Sequence, residues 1–126
     1  MSKIKIFCVT DKPIKYLEDL DINLVGVGKE QFNQKYITCL SGKNIQKKEK
    51  HYSELTFHYW FWKNKLKTYS ANEWFAICHY RRFFIKENFN FLKNNEINLE
   101  RLKSNIIYNP KNEWKDCDVV LCEPTS

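Results

Sequence analysis

The sequence WFAICHYRR at residues 74–82 decides the fold class of this chain. Its first part, Trp74 to Cys78, is an unbroken apolar run of strand length, which is typical of a strand buried on both faces. Ile4 to Val9 is a second run of this kind, and the polar loop after it ends at Pro13, which stops the strand. Because strands buried on both faces occur in parallel sheets covered by helices, the sequence predicts an α/β fold.

A helix is predicted between these two strands, from Tyr52 to Lys67. Four of its apolar residues recur at helical spacing: Leu55, Tyr59, Trp62 and Leu66. Three further aromatic residues widen the apolar surface beyond one stripe: Phe57, Trp60 and Phe61. We therefore expect this helix to be covered on more than one side, by the sheet and by a further segment.

Weaker patterns complete the predicted sheet and its helices. Asn23 to Val27 and Asp118 to Cys122 are strand candidates. A helix is predicted over Leu99 to Asn105, with Asn98 as its cap. Strands that alternate with helices favour a mostly parallel sheet with flanking helices, in a single domain over residues 1–126.

The composition favours a cytoplasmic protein with a real hydrophobic core. The chain has 126 residues, of which 43% are hydrophobic. We expect neither a membrane span nor a signal peptide, because no apolar run is long enough for either. The five cysteines are odd in number and form no small disulfide framework, so we expect buried free thiols rather than disulfides or a metal site.

The formal net charge of +6 is the feature that would suit a nucleic-acid-binding protein. Eighteen of the 21 basic residues are lysines, and they look scattered along the chain. Most aromatic residues fall at core spacing, so we do not expect nucleic acid as a partner, although salt-dependent oligonucleotide binding stays open as a third hypothesis. The charge itself supports a modest attraction to anionic lipid head groups or phosphorylated substrates.

Arginine is rare in this chain, and two of its three arginines, Arg81 and Arg82, are adjacent. They follow His79 and Tyr80 at the end of a predicted strand, and open α/β sheets bind ligands at the carboxyl ends of their strands. Arginine can grip a phosphate through two hydrogen bonds, and His79 could donate a third. In an extended strand His79 and Arg81 would share one face and Tyr80 and Arg82 the other, whereas a loop would remove this division. The alternative is that the arginines pair with a carboxylate such as Glu54 or stand in solvent.

The acidic candidates are Glu54 and two pairs of aspartates. Glu54 lies in the first turn of the predicted helix, where the helix dipole favours a carboxylate. The functional alternative is that Glu54 holds an arginine or contacts a sugar hydroxyl. Asp19 and Asp21 follow an amphipathic stretch, and Asp116 and Asp118 precede a strand candidate, so neither pair predicts a metal site. We expect no cofactor, although a divalent metal stays open.

Two long motifs stand in this chain, YSELTFHYWFWKN at residues 52–64 and ICHYRRFF at residues 77–84. Both resemble hallmarks of a bacterial family known as domain of unknown function 4422. Val9 to Pro13 is similar to the opening strand and loop of that family. Residues 42–45 are a weaker match to a motif before the aromatic helix, and residues 118–121 are similar to a later strand. The matches keep the order of the family and cover nearly the whole chain.

The resemblance implies a glycosyltransferase of capsule, O-antigen or exopolysaccharide synthesis, with a nucleotide-sugar-binding α/β fold of the single-domain, glycosyltransferase-A-like kind. Its donor would be a nucleotide-sugar. Its acceptor would be a lipid-linked glycan, so we expect peripheral contact with the inner face of the membrane. The segment at His79 stands where related folds carry a metal-binding acidic motif. The expected substrate-binding residues are Thr10, Lys12, Asn44, Glu54, His79, Tyr80, Arg81 and Arg82, and no catalytic residue is assigned.

The chain also departs from the family pattern. Asp11 stands where the family usually has His, which alters the first loop. Lys43, Gln46 and Glu49 stand for Asp, Ser and Asn, so the choice of donor sugar is open. Family domains are longer, which implies that this chain is the N-terminal, donor-binding half of one. The alternative is a catalytically inactive, truncated remnant that acts as a binding or interaction module.

Overall fold

A parallel sheet of four strands forms the centre of the chain. The structure is a computed structural model that describes residues 3–86 and 98–121. The strands are β1 (Lys5–Thr10), β2 (Asn23–Gly26), β3 (Tyr36–Thr38) and β4 (Phe75–His79). Their order across the sheet is β3-β2-β1-β4. With helices on both faces, this arrangement confirms the predicted α/β class.

The register of the strands brings their last residues to one edge of the sheet. Val9 of β1 lies opposite His79 of β4, and Thr10 lies opposite Gly26 of β2. Gly26 in turn lies opposite Thr38, the last residue of β3. We call this end of the sheet the carboxyl edge, and the end at which the strands begin the amino edge. The loops that follow the strands therefore meet at the carboxyl edge.

Alternate side chains of β1 enter two separate cores, one on each face of the sheet. Ile6 and Cys8 face a core that includes Leu17, from a 3-10 helix at Lys15–Asp19, and Leu102. Leu102 lies on the helix Leu99–Asn105, which is the third α-helix, α3. Phe7 and Val9 enter the opposite core. The two-residue alternation of an extended strand explains why this one strand supports both layers.

The single helix predicted from Tyr52 to Lys67 is divided. A short helix α1 (Glu49–Tyr52) is followed by α2 (Leu55–Asn64), and a 3-10 turn covers Leu66–Thr68. Ser53, between the helices, has φ of 48°, a left-handed conformation that interrupts an α-helix. Within the described residues, no helix is long and apolar enough to cross a membrane.

The two sides of α2 are both apolar but only one is buried. The side that packs on the sheet consists of four buried residues: Thr56, Phe57, Trp60 and Phe61. Leu55, Trp62 and Leu66, from the predicted stripe, are exposed. In the part of the chain that the structure describes, α2 is therefore covered on one side, whereas the sequence predicted cover on more than one.

The predicted strands that correspond to β1, β2 and β4 are confirmed. The predicted helix α3 and its Asn98 cap are confirmed as well. The side-chain oxygen of Asn98 accepts a hydrogen bond from the Arg101 amide at 3.1 Å. The sequence did not predict β3, whose three residues are too few to show alternation. The strand candidate at Asp118–Cys122 is wrong over residues 118–121, and Cys122 lies outside the described residues. Val119 and Leu121 are 72% and 83% exposed, so this apolar run has no covering surface to hold it in a sheet.

The predicted free, buried thiols are confirmed at three positions. Cys8, Cys39 and Cys78 are buried and free, whereas Cys117 is free and exposed. Cys8 and Cys78 lie opposite each other on β1 and β4. A hydrogen bond with Cys78, together with burial, raises the pKa of Cys8. Burial also raises the pKa of Cys39 to about 12, so these thiols pack as small apolar groups.

Candidate functional site

The strand order reverses beside β1. From β1 the chain moves outward through β2 to β3, and then returns to place β4 on the other side of β1. In open α/β sheets, ligands bind in the crevice at such a reversal, outside the carboxyl ends of the two strands. The two segments at this position are the loop after Thr10 and the segment that follows Cys78. These are two of the segments that the sequence analysis selected.

Residues 79–82 form a tight turn directly after β4. The His79 amide donates to the Arg82 carbonyl at 3.2 Å, and the Arg82 amide donates to the His79 carbonyl at 2.9 Å. The segment is therefore a loop and not an extension of the strand. The strict division of its side chains between the two faces of a strand therefore does not apply, although Tyr80 packs against the core that contains Cys8.

Tyr16 fastens this turn to the segment that follows β1. Its hydroxyl donates to the Tyr80 carbonyl at 2.7 Å. Burial raises the pKa of Tyr16 to about 12, and the nearby charge of Arg81 opposes part of that rise. Tyr16 is not among the residues that the sequence predicts for the site. Its one signal was its place in the amphipathic stretch after β1, where a buried phenol needs a hydrogen-bond partner.

The imidazole of His79 is oriented within the turn. Its Nδ1 accepts a hydrogen bond from the Arg81 amide at 3.3 Å, and its ring centre lies 4.2 Å from that of Tyr80. A neutral imidazole whose Nδ1 accepts carries its hydrogen on Nε2. That Nε2–H group is then the one that can donate to a ligand.

The two arginine side chains are exposed at the carboxyl edge. The guanidinium carbon of Arg81 lies 5.2 Å from the centre of the Tyr80 ring, a cation–π distance that stiffens the side chain. Within residues 3–86 and 98–121, neither Arg81 nor Arg82 forms an ion pair with a carboxylate. Glu54 in particular does not hold them. Their charge is thus open to solvent.

Thr10 and Lys12 shape the loop after β1. The Thr10 hydroxyl donates to the Lys12 carbonyl at 2.7 Å and accepts from the Lys12 amide at 3.3 Å. Thr10 itself is 1% exposed. Its hydroxyl is consequently occupied in fixing the loop, whereas the Lys12 side chain extends from that loop into solvent.

Asn44 and Glu54 are not joined to the turn by any described contact. The side-chain amide nitrogen of Asn44 donates to the carbonyls of Leu40 and Gly42. The side-chain oxygen of Asn44 accepts a hydrogen bond from the backbone amide of Gln46 at 3.2 Å. Asn44 therefore holds its own loop together. Glu54 is the residue before α2, exposed, and its side chain does not cap the helix.

A cleft of about 420 Å³ opens beside the loop that follows β2. It is lined by three lysines, Lys29, Lys47 and Lys50, and by Gly28, Gln46 and Glu49. We call it the lysine cleft. Gly28 has φ of 95°, and a Cβ there would lie 2.7 Å from the Asp11 carbonyl oxygen, so the cleft adjoins the loop after β1. The Gln46 Oε1 atom is buried and has no hydrogen-bond partner within the described residues.

The carboxyl edge can thus attract an anion from two directions. The turn at 79–82 adjoins the loop after β1 on one side, and the lysine cleft adjoins it on the other. The two arginines do not line the lysine cleft. Among these residues, no three His, Cys, Asp or Glu side chains are grouped so that they could hold a metal ion. The carboxyl edge therefore offers the cations of Arg81, Arg82 and the three cleft lysines, one carboxylate at Glu49, and one amide oxygen without a partner among the described residues.

Comparisons with known proteins bear on the family alone. A family model described as a domain of unknown function, DUF4422, matches residues 5–125. No curated protein and no solved structure matches the chain. The matched range includes the four described strands, the turn at 79–82 and the lysine cleft. The chain therefore belongs to the DUF4422 family.

Proposed function

We propose that the carboxyl edge binds the diphosphate of a nucleotide-sugar, and that this domain serves glycosyl transfer in capsule, O-antigen or exopolysaccharide synthesis. The proposal includes a glycosyltransferase-A-like relationship for the fold. The observation that carries it is the cationic turn at 79–82, which lies at the reversal of the strand order without carboxylate partners among the described residues. The motif resemblance adds the class of reaction.

The turn supplies the groups that a diphosphate leaving group needs. The guanidinium groups of Arg81 and Arg82 each offer paired donors to phosphate oxygens. The Nε2–H group of His79 offers one more. When the bond between the sugar and the diphosphate breaks, negative charge grows on the diphosphate, and fixed cations stabilise that charge without reorganising.

The lysine cleft would receive another part of the same donor. Gln46 Oε1, buried and unpartnered, can accept a hydrogen bond from a hydroxyl of the ribose or of the sugar. Lys47 and Lys50 add positive charge around it. Since Gln46 is one of the positions at which the chain departs from the family pattern, it is a candidate for the choice of donor.

Calorimetric titration tests the proposal. We expect the purified chain to bind UDP or GDP more tightly than the parent nucleoside. In the variant Arg81→Ala/Arg82→Ala the affinity for the diphosphate should fall by about tenfold or more, since each hydrogen bond to a charged group contributes about 1.5–3 kcal/mol. The control is Lys111→Ala/Lys115→Ala, which removes the same charge from an exposed segment that packs near the start of β4.

The conservative variant Arg81→Lys/Arg82→Lys separates geometry from charge. It keeps both charges but loses the paired donors, so we expect it to recover only part of the affinity. Equal affinities for the wild type and the alanine variant, or equal affinities for nucleoside and diphosphate, would reject the proposal. Diphosphate binding without any turnover of nucleotide-sugars would leave a binding module rather than an enzyme.

A further inference from the structure

An apolar ridge runs along the outer side of α2. It consists of Leu55, Tyr59, Trp62 and Leu66, and we call it the outer ridge. Leu55 and Trp62 are 54% and 57% exposed, and the Tyr59 and Trp62 rings meet edge to face with centres 6.1 Å apart. The core needs none of these exposed surfaces, because the opposite side of α2 already covers the sheet. A ridge of this kind marks an interaction surface.

The positive charge of the chain is concentrated in the same segment. Residues 43–67 contain seven lysines and two glutamates, a net charge of +5 out of +6 for the whole chain. Seven of the eighteen lysines of the chain therefore lie around α1 and α2, and two of these seven, Lys47 and Lys50, line the lysine cleft. The Lys63 ammonium lies 3.7 Å from the centre of the Trp62 ring, so charge and apolar surface alternate on the ridge itself.

We propose that the outer ridge docks on an anionic lipid bilayer. Leu55, Trp62 and Leu66 would enter the interface between head groups and acyl chains, where tryptophan and tyrosine rings are favoured. Lys63, beside Trp62, and the exposed Lys67 would contact the phosphates of the head groups. Lys65, whose ammonium lies 5.7 Å from the centre of the Trp60 ring, would add positive charge nearby. The combination of an exposed apolar stripe with basic flanks is what an interfacial helix requires.

Two other occupants fit the surface less well. A second copy of the chain would bring two equally charged surfaces face to face in a symmetric dimer, which costs repulsion. A nucleic acid would use the lysines and could stack on Trp62, but it has no use for Leu55 and Leu66. The lipid surface uses both the charge and the aliphatic groups. This docking does not depend on nucleotide binding at the carboxyl edge.

Vesicle co-sedimentation tests the docking. The full chain is mixed with vesicles of phosphatidylcholine alone, or of phosphatidylcholine with phosphatidylglycerol. We expect binding to the anionic vesicles only, and a loss as salt is raised, because salt screens the lysines. Both Trp62→Ser/Leu66→Ser and Lys63→Gln/Lys65→Gln/Lys67→Gln should weaken the partition by about tenfold or more.

The matched control is Lys103→Gln/Lys111→Gln/Lys115→Gln, which removes three charges away from the outer ridge and should bind vesicles as the wild type does. Circular dichroism confirms that each variant is folded, and the single variant Trp62→Ser serves if a multiple variant is not. Absence of vesicle binding, or equal binding by all variants, overturns the proposal. The proposal is also overturned if a single-stranded oligonucleotide displaces the chain from the vesicles and Trp62→Ser/Leu66→Ser does not change the binding of that oligonucleotide. A dimer in light scattering that Trp62→Ser/Leu66→Ser abolishes would overturn it as well. The UDP affinity of the ridge variants is measured as well and should equal that of the wild type. The vesicle result can then be interpreted separately from the test of the carboxyl edge.

Discussion

Two concave regions among the described residues lie at opposite ends of the sheet, and the charged groups near them differ in their partners. The region at the amino edge is the larger, about 650 Å³, and lies against the C-terminal part of α2. There the Lys5 ammonium forms a 2.8 Å ion pair with Glu73 and lies 4.5 Å from the centre of the Tyr69 ring. That hydrogen bond raises the pKa of Lys5 and lowers the pKa of Glu73. At the carboxyl edge, Arg81 and Arg82 have no carboxylate partner among the described residues.

The difference teaches that cavity size is a poor guide to the site in this chain. The amino-edge cavity is walled by rings that also hold the core together. Of its three charged side chains, Lys5 and Glu73 pair with each other, and the Lys65 ammonium lies 5.7 Å from the centre of the Trp60 ring. The lysine cleft at the carboxyl edge is smaller, about 420 Å³, but Arg81 and Arg82, which lie outside it at the same edge, have no carboxylate partner among the described residues and lie where the strand order reverses. We therefore assign packing to the amino edge and ligand binding to the carboxyl edge.

The largest effect that tests this comparison is the replacement Phe61→Ala. Phe61 lines the amino-edge cavity, is 3% exposed, and its ring centre lies 4.8 Å from that of Phe75. Loss of such a ring should lower the free energy of unfolding by about 3–5 kcal/mol. Urea denaturation measures it, with the exposed neighbour Trp62→Ala as the control, whose cost should be about 0.5 kcal/mol or less.

The folded fraction of Phe61→Ala should bind UDP as the wild type does. A loss of nucleotide affinity larger than the loss of folded protein would show that the amino edge contributes to the site, and the comparison would fail.

A smaller effect is expected from Gly28→Ala at the carboxyl edge. Gly28 has φ of 95°, and the added Cβ would press on the Asp11 carbonyl, so stability should fall by about 1–3 kcal/mol. Because the loop after β1 must move to relieve the contact, UDP affinity should fall as well. The control is Gly42→Ala, where φ is 64° and the added Cβ meets the Asn64 side chain and not the loop after β1. Equal effects of both variants on affinity would contradict the assignment of the carboxyl edge.

The smallest effect is expected from Tyr16→Phe, which removes the hydrogen bond that fastens the turn at 79–82. Its loss should cost about 0.5–1.5 kcal/mol and weaken UDP binding more than it weakens the fold, because the turn is no longer fixed beside β1. Urea denaturation and calorimetric titration of the same sample measure the two effects. An unchanged UDP affinity would show that the turn does not need this anchor.

The same variant changes the response to alkaline pH. The pKa of Tyr16 is about 12 in the folded chain against 10.0 ordinarily, so the unfolded chain loses this proton first. The contribution of Tyr16 is therefore complete below pH 10 and is lost as pH rises from 10 towards 12. As pH rises over this window, the unfolding midpoint should fall less steeply in Tyr16→Phe than in the wild type. Burial also raises the pKa values of Tyr36 and Tyr108, but both residues are present in the two proteins and contribute equally to each.

The sequence predicted the structure where a segment carried a clear local signal, such as a continuous apolar run or a capping residue. The short, β-branched and aromatic runs at β1 and β4 favour buried strands, and the cap of α3 follows from one asparagine before a helical pattern. For α2 the spacing was right but the side was not determined. Two apolar stripes follow the same helical period, and only the position of the sheet decides that Phe57 is buried and Trp62 exposed.

The candidate site was predictable in part for a similar reason. Residues 79–82 are conspicuous because rare arginines follow a buried run. Their tight turn, its anchor Tyr16 and the lysine cleft depend on contacts between residues distant in sequence, which no local pattern carries. Thr10 was selected for its position after β1, but its hydroxyl proves to be used within the loop. The apolar run at 118–121 shows the converse, because hydrophobic residues without a partner surface do not make a strand.

Amide chemical shifts recorded during a titration with UDP and with GDP test the central claim most directly. The account predicts that the largest changes occur at the carboxyl edge, in residues 10–12 and 79–82, with smaller changes around the lysine cleft. Changes confined to the amino-edge cavity, around Lys5 and Tyr69, or no change at all with either nucleotide, would contradict it.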